Sequence, residues 1–386
     1  MPVQKKNVSC LLSRAGLWLL VLVLALRPGT CQSDPQALLS SPTSRWESTN
    51  AAGVATYKEG NYAEAEKLLR SAVGEALQFG SRSPRLATSL NNLGALYFTQ
   101  GNFAQAEPLF QQALVIRQEI LDQEDPDLAQ SLNNLARLYH DQGKYAEAES
   151  LYWRSLILAQ KGAGRQPNAV AVSLDNLADL YRAQQKYAQA EPLFSQALAI
   201  RERVFGRQHP EVAISLNNLG ALYFVQGKYR EAEPLYQRAQ SILEKSLGPD
   251  HPDVAASLNN LAALYRKQKK YADAEPLYER TLAILEKALG NEHPKVAIGL
   301  NNLAALYYSQ GKYLQAEPLC QRALTIQERT LGRDHPAVAL TLDNYAVLLQ
   351  GMNRVTEASD MRVRASAILS KSNTGKQVPS PDGKSN

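Results

Sequence analysis

The sequence predicts an all-α solenoid of antiparallel helix pairs, and three observations carry that prediction. The phrase Leu-(Asn/Asp)-Asn-(Leu/Tyr) occurs seven times at an unbroken spacing of 42 residues, opening at Leu90, Leu132, Leu174, Leu216, Leu258, Leu300 and Leu342. A fixed period of this length marks an array whose units pack on their neighbours. Each period also holds two apolar stripes at helical spacing, and a glycine commonly stands between them.

The repeat from Pro210 to Leu247 shows the elements in order. Pro210 opens the first helix, where its missing N–H has no partner in any case. Leu216, Leu219, Gly220 and Tyr223 then stand at i, i+3, i+4 and i+7, one stripe on one helix face. Gly227 ends that helix, as Gly101, Gly143 and Gly311 do in their repeats. A second stripe follows in Tyr229, Ala232, Tyr236, Ala239 and Leu243. Gly220, matched by Gly94 and by Ala136, Ala178, Ala262, Ala304 and Ala346, keeps bulk small where the paired helices must approach. The prolines at 108, 192, 234, 276 and 318 fall inside the second helix, where proline costs on the order of 3 kcal/mol, and predict a bend there.

A degenerate unit precedes these seven. Gly53, Gly60-Asn61-Tyr62 and Ala65 fit the pattern, with 41 residues from Tyr62 to Phe103 and no Asn pair, as in an amino-terminal cap. A closing helix from about 354 to 370 turns Val355, Ala358, Met361, Ala365 and Ile368 inward.

Leu-(Gly/Ala)-x-x-Tyr followed by Gly-x-Tyr-x-x-Ala resembles the tetratricopeptide repeat, whose usual period is about 34 residues. The 42-residue form, with Leu-Gly-x-x-His-Pro-x-Val-Ala between units, is similar to the repeats of kinesin light chains and their bacterial relatives. The resemblance covers residues 46–370. It implies a right-handed superhelix of eight helix pairs, about 80 Å long at the usual helix spacing. It also implies a concave groove that receives extended peptides.

The remaining segments are read from composition. Lys5, Lys6 and Arg14, the uncharged run from Ala15 to Leu26 and the break at Pro28-Gly29 read as a signal peptide over 1–31. The run is twelve residues, too short for a helix of about 20 residues that spans a bilayer. Export to the periplasm or the medium follows as the expectation. A lipid on Cys31, the alternative anchor, is disfavoured by Pro28-Gly29-Thr30 before the thiol. Residues 32–45 read as a linker. The degenerate unit is placed at 46–80, the seven repeats from about 84, and a disordered polar tail at 371–386.

The formal net charge of +5 lies mostly at the ends. Residues 1–31 hold four basic residues and no acid, which leaves 38 basic and 37 acidic residues in the rest. A nearly neutral body lacks the basic stripe that nucleic-acid binding needs. A partner protein or an extended peptide is the expected ligand.

The second Asn of each phrase falls opposite the buried stripe: Asn92, Asn134, Asn176, Asn218, Asn260, Asn302 and Asn344. An amide donates and accepts at once, so it can pair with both groups of a peptide backbone. The first amides Asn217, Asn259 and Asn301 join the candidate groove. An alternative is that the amides bond between neighbouring helices and hold the array together. Arg137, Arg182, Arg266 and Lys267 bring charge to the same side, and Phe224 and Tyr308 bring aromatic surface. The set suggests a ligand with acidic and hydrophobic side chains.

Other chemistry is not indicated. His209, His251, His293 and His335 recur at 42 residues, but neighbouring units stand about 8–10 Å apart, too far for shared ligation of one ion. Each precedes a helix-opening proline. Cys320 sits on the second apolar stripe as a small hydrophobe. There is no phosphate-binding loop, nucleophile elbow or metalloprotease motif. The expectation is a non-enzyme without metal or cofactor. Two further readings are an intracellular cargo or signalling adaptor, should the leader be retained, and the binding domain of a cell-envelope enzyme.

Overall fold

The computed structural model describes residues 42–122, 125–162 and 166–374. The proposed signal peptide, most of the linker and the tail beyond 374 lie outside the described residues. Sixteen helices are described, two to each repeat. Repeat 1 is α1 (Pro42–Lys58) and α2 (Tyr62–Leu77), and repeat 2 is α3 (Pro84–Thr99) and α4 (Phe103–Ile120). Repeat 3 holds α5 (Pro126–Asp141) and α6 (Tyr145–Lys161), and repeat 4 holds α7 (Pro167–Ala183) and α8 (Tyr187–Phe205). Repeats 5 and 6 are α9 (Pro210–Val225) with α10 (Tyr229–Leu247), and α11 (Pro252–Lys267) with α12 (Tyr271–Leu289). Repeats 7 and 8 are α13 (Pro294–Ser309) with α14 (Tyr313–Leu331), and α15 (Pro336–Gly351) with α16 (Val355–Thr374). The first helix therefore begins at Pro42 and the last reaches Thr374, each a few residues beyond the expected bounds. No described helix is long and apolar enough to cross a membrane.

Local chemistry sets the helix ends. At His209, His251, His293 and His335 the Nδ1 atom accepts the backbone N–H two residues on, at 3.0–3.2 Å. The histidines are thus side-chain caps for the orphan donors of a helix start, a role their sequence position before proline only hinted at. The turn between paired helices needs a left-handed residue, and Gly101, Gly143, Gly227 and Gly311 supply it with φ of 69–75°. Gln185, Lys269 and Asn353 take the same turn with φ of 60–63°. The second helices run unbroken through Pro108, Pro192, Pro234, Pro276 and Pro318.

Close pairing follows from the small residues. A Cβ on Gly220 would lie 2.7 Å from the Tyr236 ring, and one on Gly94 would lie 2.9 Å from Phe110. Between repeats, a glutamate of each second helix accepts from the tyrosine hydroxyl of the next first helix. Examples are Glu66 with Tyr97, Glu149 with Tyr181 and Glu191 with Tyr223, at 2.7–2.9 Å. The first helices also touch the first helix of the next repeat, whereas no even-numbered pair among the described residues packs comparably. The odd helices thus form the tighter, inner layer and the even helices the outer one. Their curvature closes a full turn: repeats 7 and 8 come back onto repeats 1 and 2, with His293 Nε2 3.3 Å from the Lys58 carbonyl and His335 Nε2 3.0 Å from that of Thr99.

Candidate binding groove on the inner helices

The amide pairs divide between two roles. First-position side chains turn into the boundary between repeats. Asn91 donates to Ser131 at 3.2 Å, Asn217 to Ser257 at 2.8 Å and Asn301 to Thr341 at 2.6 Å. In repeat 6 the facing position is Gly299, which has no hydroxyl, and Asn259 instead accepts from Asn302 at 2.7 Å. Asn217, Asn259 and Asn301 are therefore tied to neighbouring repeats. Second-position amides face the inner surface: Asn92, Asn134, Asn176, Asn218, Asn260 and Asn302 are half-buried and Asn344 is exposed. Three of them also reach the preceding repeat: Asn92 donates to Asn50 at 3.0 Å, Asn302 to Asn259 and Asn218 to Asp175.

Four residues before the second amide runs an apolar column. Val172, Ile214, Ile298 and Leu340 keep 38–63% of their surface exposed, and Ala256 holds the same place in repeat 6. Ile214 and Ile298 are legible in sequence as small or apolar groove residues. Val172 and Leu340 are found by the same 42-residue step. Repeats 2 and 3 carry Thr88 and Gln130 there, so the column spans repeats 4 to 8.

Charged residues gather in the inner surface of repeats 3 to 5. A cavity of 280 Å³ is lined by Arg137, His140, Asp141, Tyr152, Asp175, Asn176, Asp179 and Asn218. Three of the residues expected to line a groove, Arg137, Asn176 and Asn218, meet there. Arg182 reaches the rim by pairing with Asp179, and the Arg137 guanidinium lies 5.3 Å from the centre of the Phe98 ring. Asp175, which replaces the first Asn in this repeat, is held at 2.5 Å by buried Arg201. Burial pushes the Asp175 carboxyl above its ordinary range, against the pull of Arg201 and a hydrogen bond from Asn218. Desolvation likewise raises Asp141, opposed by His140 and Arg137. Asp141, Tyr152 and Asp175 have no periodic signature beyond the repeat itself, so sequence reading passes over them.

The other expected residues are spread along the surface. Arg266 is half-buried within 3.5 Å of Ser309, and Lys267 is exposed beside it. The Phe224 ring leans on Tyr229 at 5.8 Å, and the Tyr308 ring on Tyr313 at 5.5 Å. Those aromatics thus brace the turn between paired helices as well as offering a face to the groove.

Among the described residues no cysteine is poised as a nucleophile. Cys320 is buried, and desolvation pushes its thiol up to about 11. A thiol held neutral in this way is a packing residue. Among the described residues no group of three or more histidine, cysteine or carboxylate side chains could hold a metal ion.

Comparison with known proteins agrees with the fold. The tetratricopeptide repeat model matches residues 47–119, 85–161, 169–245, 213–287 and 295–371. No curated protein sequence matches the chain. BtubC (BKLC) from P. vanneervenii is similar in structure, with 25% identity over 63% of this chain and 96% of that one and a TM-score of 0.51. A Podosopora anserina putative kinesin light chain with nearly identical repeats is 28% identical over 54% of this chain and 99% of that one, with a TM-score of 0.46. A Rap protein solved with competence and sporulation factor shares the fold at 15% identity, with a TM-score of 0.56, over 86% of this chain and 99% of that one.

Proposed function

Since this chain belongs to the tetratricopeptide repeat family, in its 42-residue kinesin-light-chain-like form, we propose that it is a non-catalytic scaffold binding an extended segment of a partner protein along its inner helices. One observation carries the reading. A column of second-position amides and a column of exposed aliphatic residues run side by side, one of each per repeat, from repeat 4 to repeat 8. Amides satisfy both groups of an extended backbone, and aliphatic residues receive its apolar side chains. Acidic side chains of the ligand would face Arg266 and Lys267. The carboxylates of the cavity in repeats 3 to 5 suit a hydrogen-bond donor entering there. A Rap protein of the same fold was solved in complex with competence and sporulation factor.

A displayed library of random twelve-residue peptides supplies the probe. Peptides selected on the wild-type protein should bind the Asn218→Ala, Asn260→Ala double variant at least about fivefold more weakly, since each lost hydrogen bond contributes about 0.5–1.5 kcal/mol. Unchanged affinity with an unchanged helical spectrum would remove the groove reading.

We place this work outside the cytoplasm on the strength of the charged and apolar leader at 1–31. Amino-terminal sequencing of the protein from its native host would show a start beyond Cys31. A start at Met1 would favour the intracellular adaptor instead.

A further inference from the structure

Repeats 7 and 8 return onto repeats 1 and 2 at a seam that is more specific than chance contact. Each covered turn meets a His-Pro helix start. Nδ1 of His293 and of His335 accepts a backbone N–H at its own helix start, which leaves the proton on Nε2. Nε2–H therefore donates to the carbonyl of Lys58 or Thr99 on the other coil. Burial lowers the affinity of both rings for a second proton, in keeping with the neutral form. Leu331, at the end of α14, packs into the apolar cluster of repeats 1 to 3.

The covered turns differ from the open ones in two ways. A Cβ on Gly60 would lie 3.0 Å from the His293 and Pro294 rings, and one on Gly101 would lie 2.9 Å from Pro336. At Gly143, Gly227 and Gly311 a Cβ would meet nothing within 4 Å. Three open turns are made by Gln185, Lys269 and Asn353, so φ alone does not demand glycine; close approach does at 60 and 101. The next residue follows the same division. The covered turns have Asn61 and Asn102, whereas the six open turns have Lys144, Lys186, Lys228, Lys270, Lys312 and Arg354. Asn61 lines a cleft of 410 Å³ with Glu59, Glu292 and Arg329, and the last two are ion-paired there.

We propose that the seam between repeats 1–2 and 7–8 is a releasable clasp, which closes the coil on itself and controls entry to the inner face. Among the described residues, opening exposes two neutral hydrogen bonds, the Leu331 contact and the packing of His293, Pro294 and Pro336 on the two glycine turns, a change that a binding partner can supply. The control of entry rests on the groove reading given above. The clasp itself does not, and it can be measured without a ligand.

Two variants open it by different means. Gly60→Asn with Gly101→Asn adds side chains where the other coil lies. Gly143→Asn with Gly227→Asn imposes the same left-handed cost at open turns and is the control. His293→Asn with His335→Asn keeps a side-chain cap, because asparagine caps helices well, but is too short to reach the facing carbonyl. Both seam variants should show a larger radius of gyration by X-ray scattering than wild type and control. Amide exchange across 289–297 and 331–339 should rise at least fivefold. In a Cys10→Ser, Cys31→Ser background carrying Ile298→Cys, a 5 kDa polyethylene-glycol maleimide should react several-fold faster in the seam variants, while N-ethylmaleimide reacts at one rate in all. Scattering and exchange that match the control in both seam variants would overturn the clasp. An expanded coil whose bulky-reagent rate is unchanged would overturn the control of entry and leave the groove reading intact.

Discussion

At the boundary of repeats 4 and 5, Arg201 is 2% exposed and joins Asp175 to Ser215. At the boundary of repeats 7 and 8 the same three places hold Gln327, Asn301 and Thr341, joined without any charge. Between repeats 5 and 6 the arrangement is simpler still: Asn217 donates to Ser257 and Leu243 stands where Arg201 would be. The comparison teaches that the 42-residue frame fixes where a polar bridge must sit and leaves its chemistry open. A buried charge is tolerated at the first boundary because its partner is in place. That solution makes the two residues interdependent, which the neutral bridges avoid.

Breaking the charged bridge should have the largest effect. Arg201→Leu strands Asp175 and should cost about 3–5 kcal/mol in denaturant unfolding. Adding Asp175→Asn recreates the natural set of repeats 5 and 6, Asn, Leu and Ser, and should recover most of that loss. A double variant no more stable than Arg201→Leu would show that the boundary depends on charge as such. Gly299→Ser should act in the opposite sense, with a gain of about 0.5–1.5 kcal/mol from helix propensity and a new acceptor for Asn259. The space exists, since a Cβ there meets Leu282 and Leu285 at an ordinary 3.6 Å. A crystal structure of that variant should show Asn259 donating its Nδ2–H to the new hydroxyl while its Oδ1 still accepts from Asn302. The smallest change is expected from Gln327→Leu, which leaves Asn301 donating to Thr341 and should alter the unfolding free energy by less than about 1 kcal/mol.

Much of this architecture is legible in the sequence for a physical reason. Apolar stripes, left-handed turns and close helix approach are local demands, and each is met by a residue type that recurs at 42: Leu216, Gly227 and Gly220 in repeat 5. The division of labour within the amide pair was not legible, because 100° on a helix separates a boundary from a groove and both positions are Asn in most repeats. Arg117, Arg201 and Gln327 did carry a signal, as polar residues at a place held by Leu243 and Leu285 elsewhere. Closure of the coil is a different matter. It depends on a small rotation per repeat, which no period states and which packing angles alone accumulate. Its traces are Asn61 and Asn102 in place of lysine, meaningful only once the facing coil is seen.

The seam residues are separated by 235 and 236 positions, so a helix start rests on the turn six repeats earlier. The number of modules is thereby a control setting in its own right. Six tandem copies would leave every edge loose, seven would engage one latch, and this protein with eight engages two. Gain or loss of a single module by recombination would thus change how tightly the ring is fastened, with no substitution at any contact.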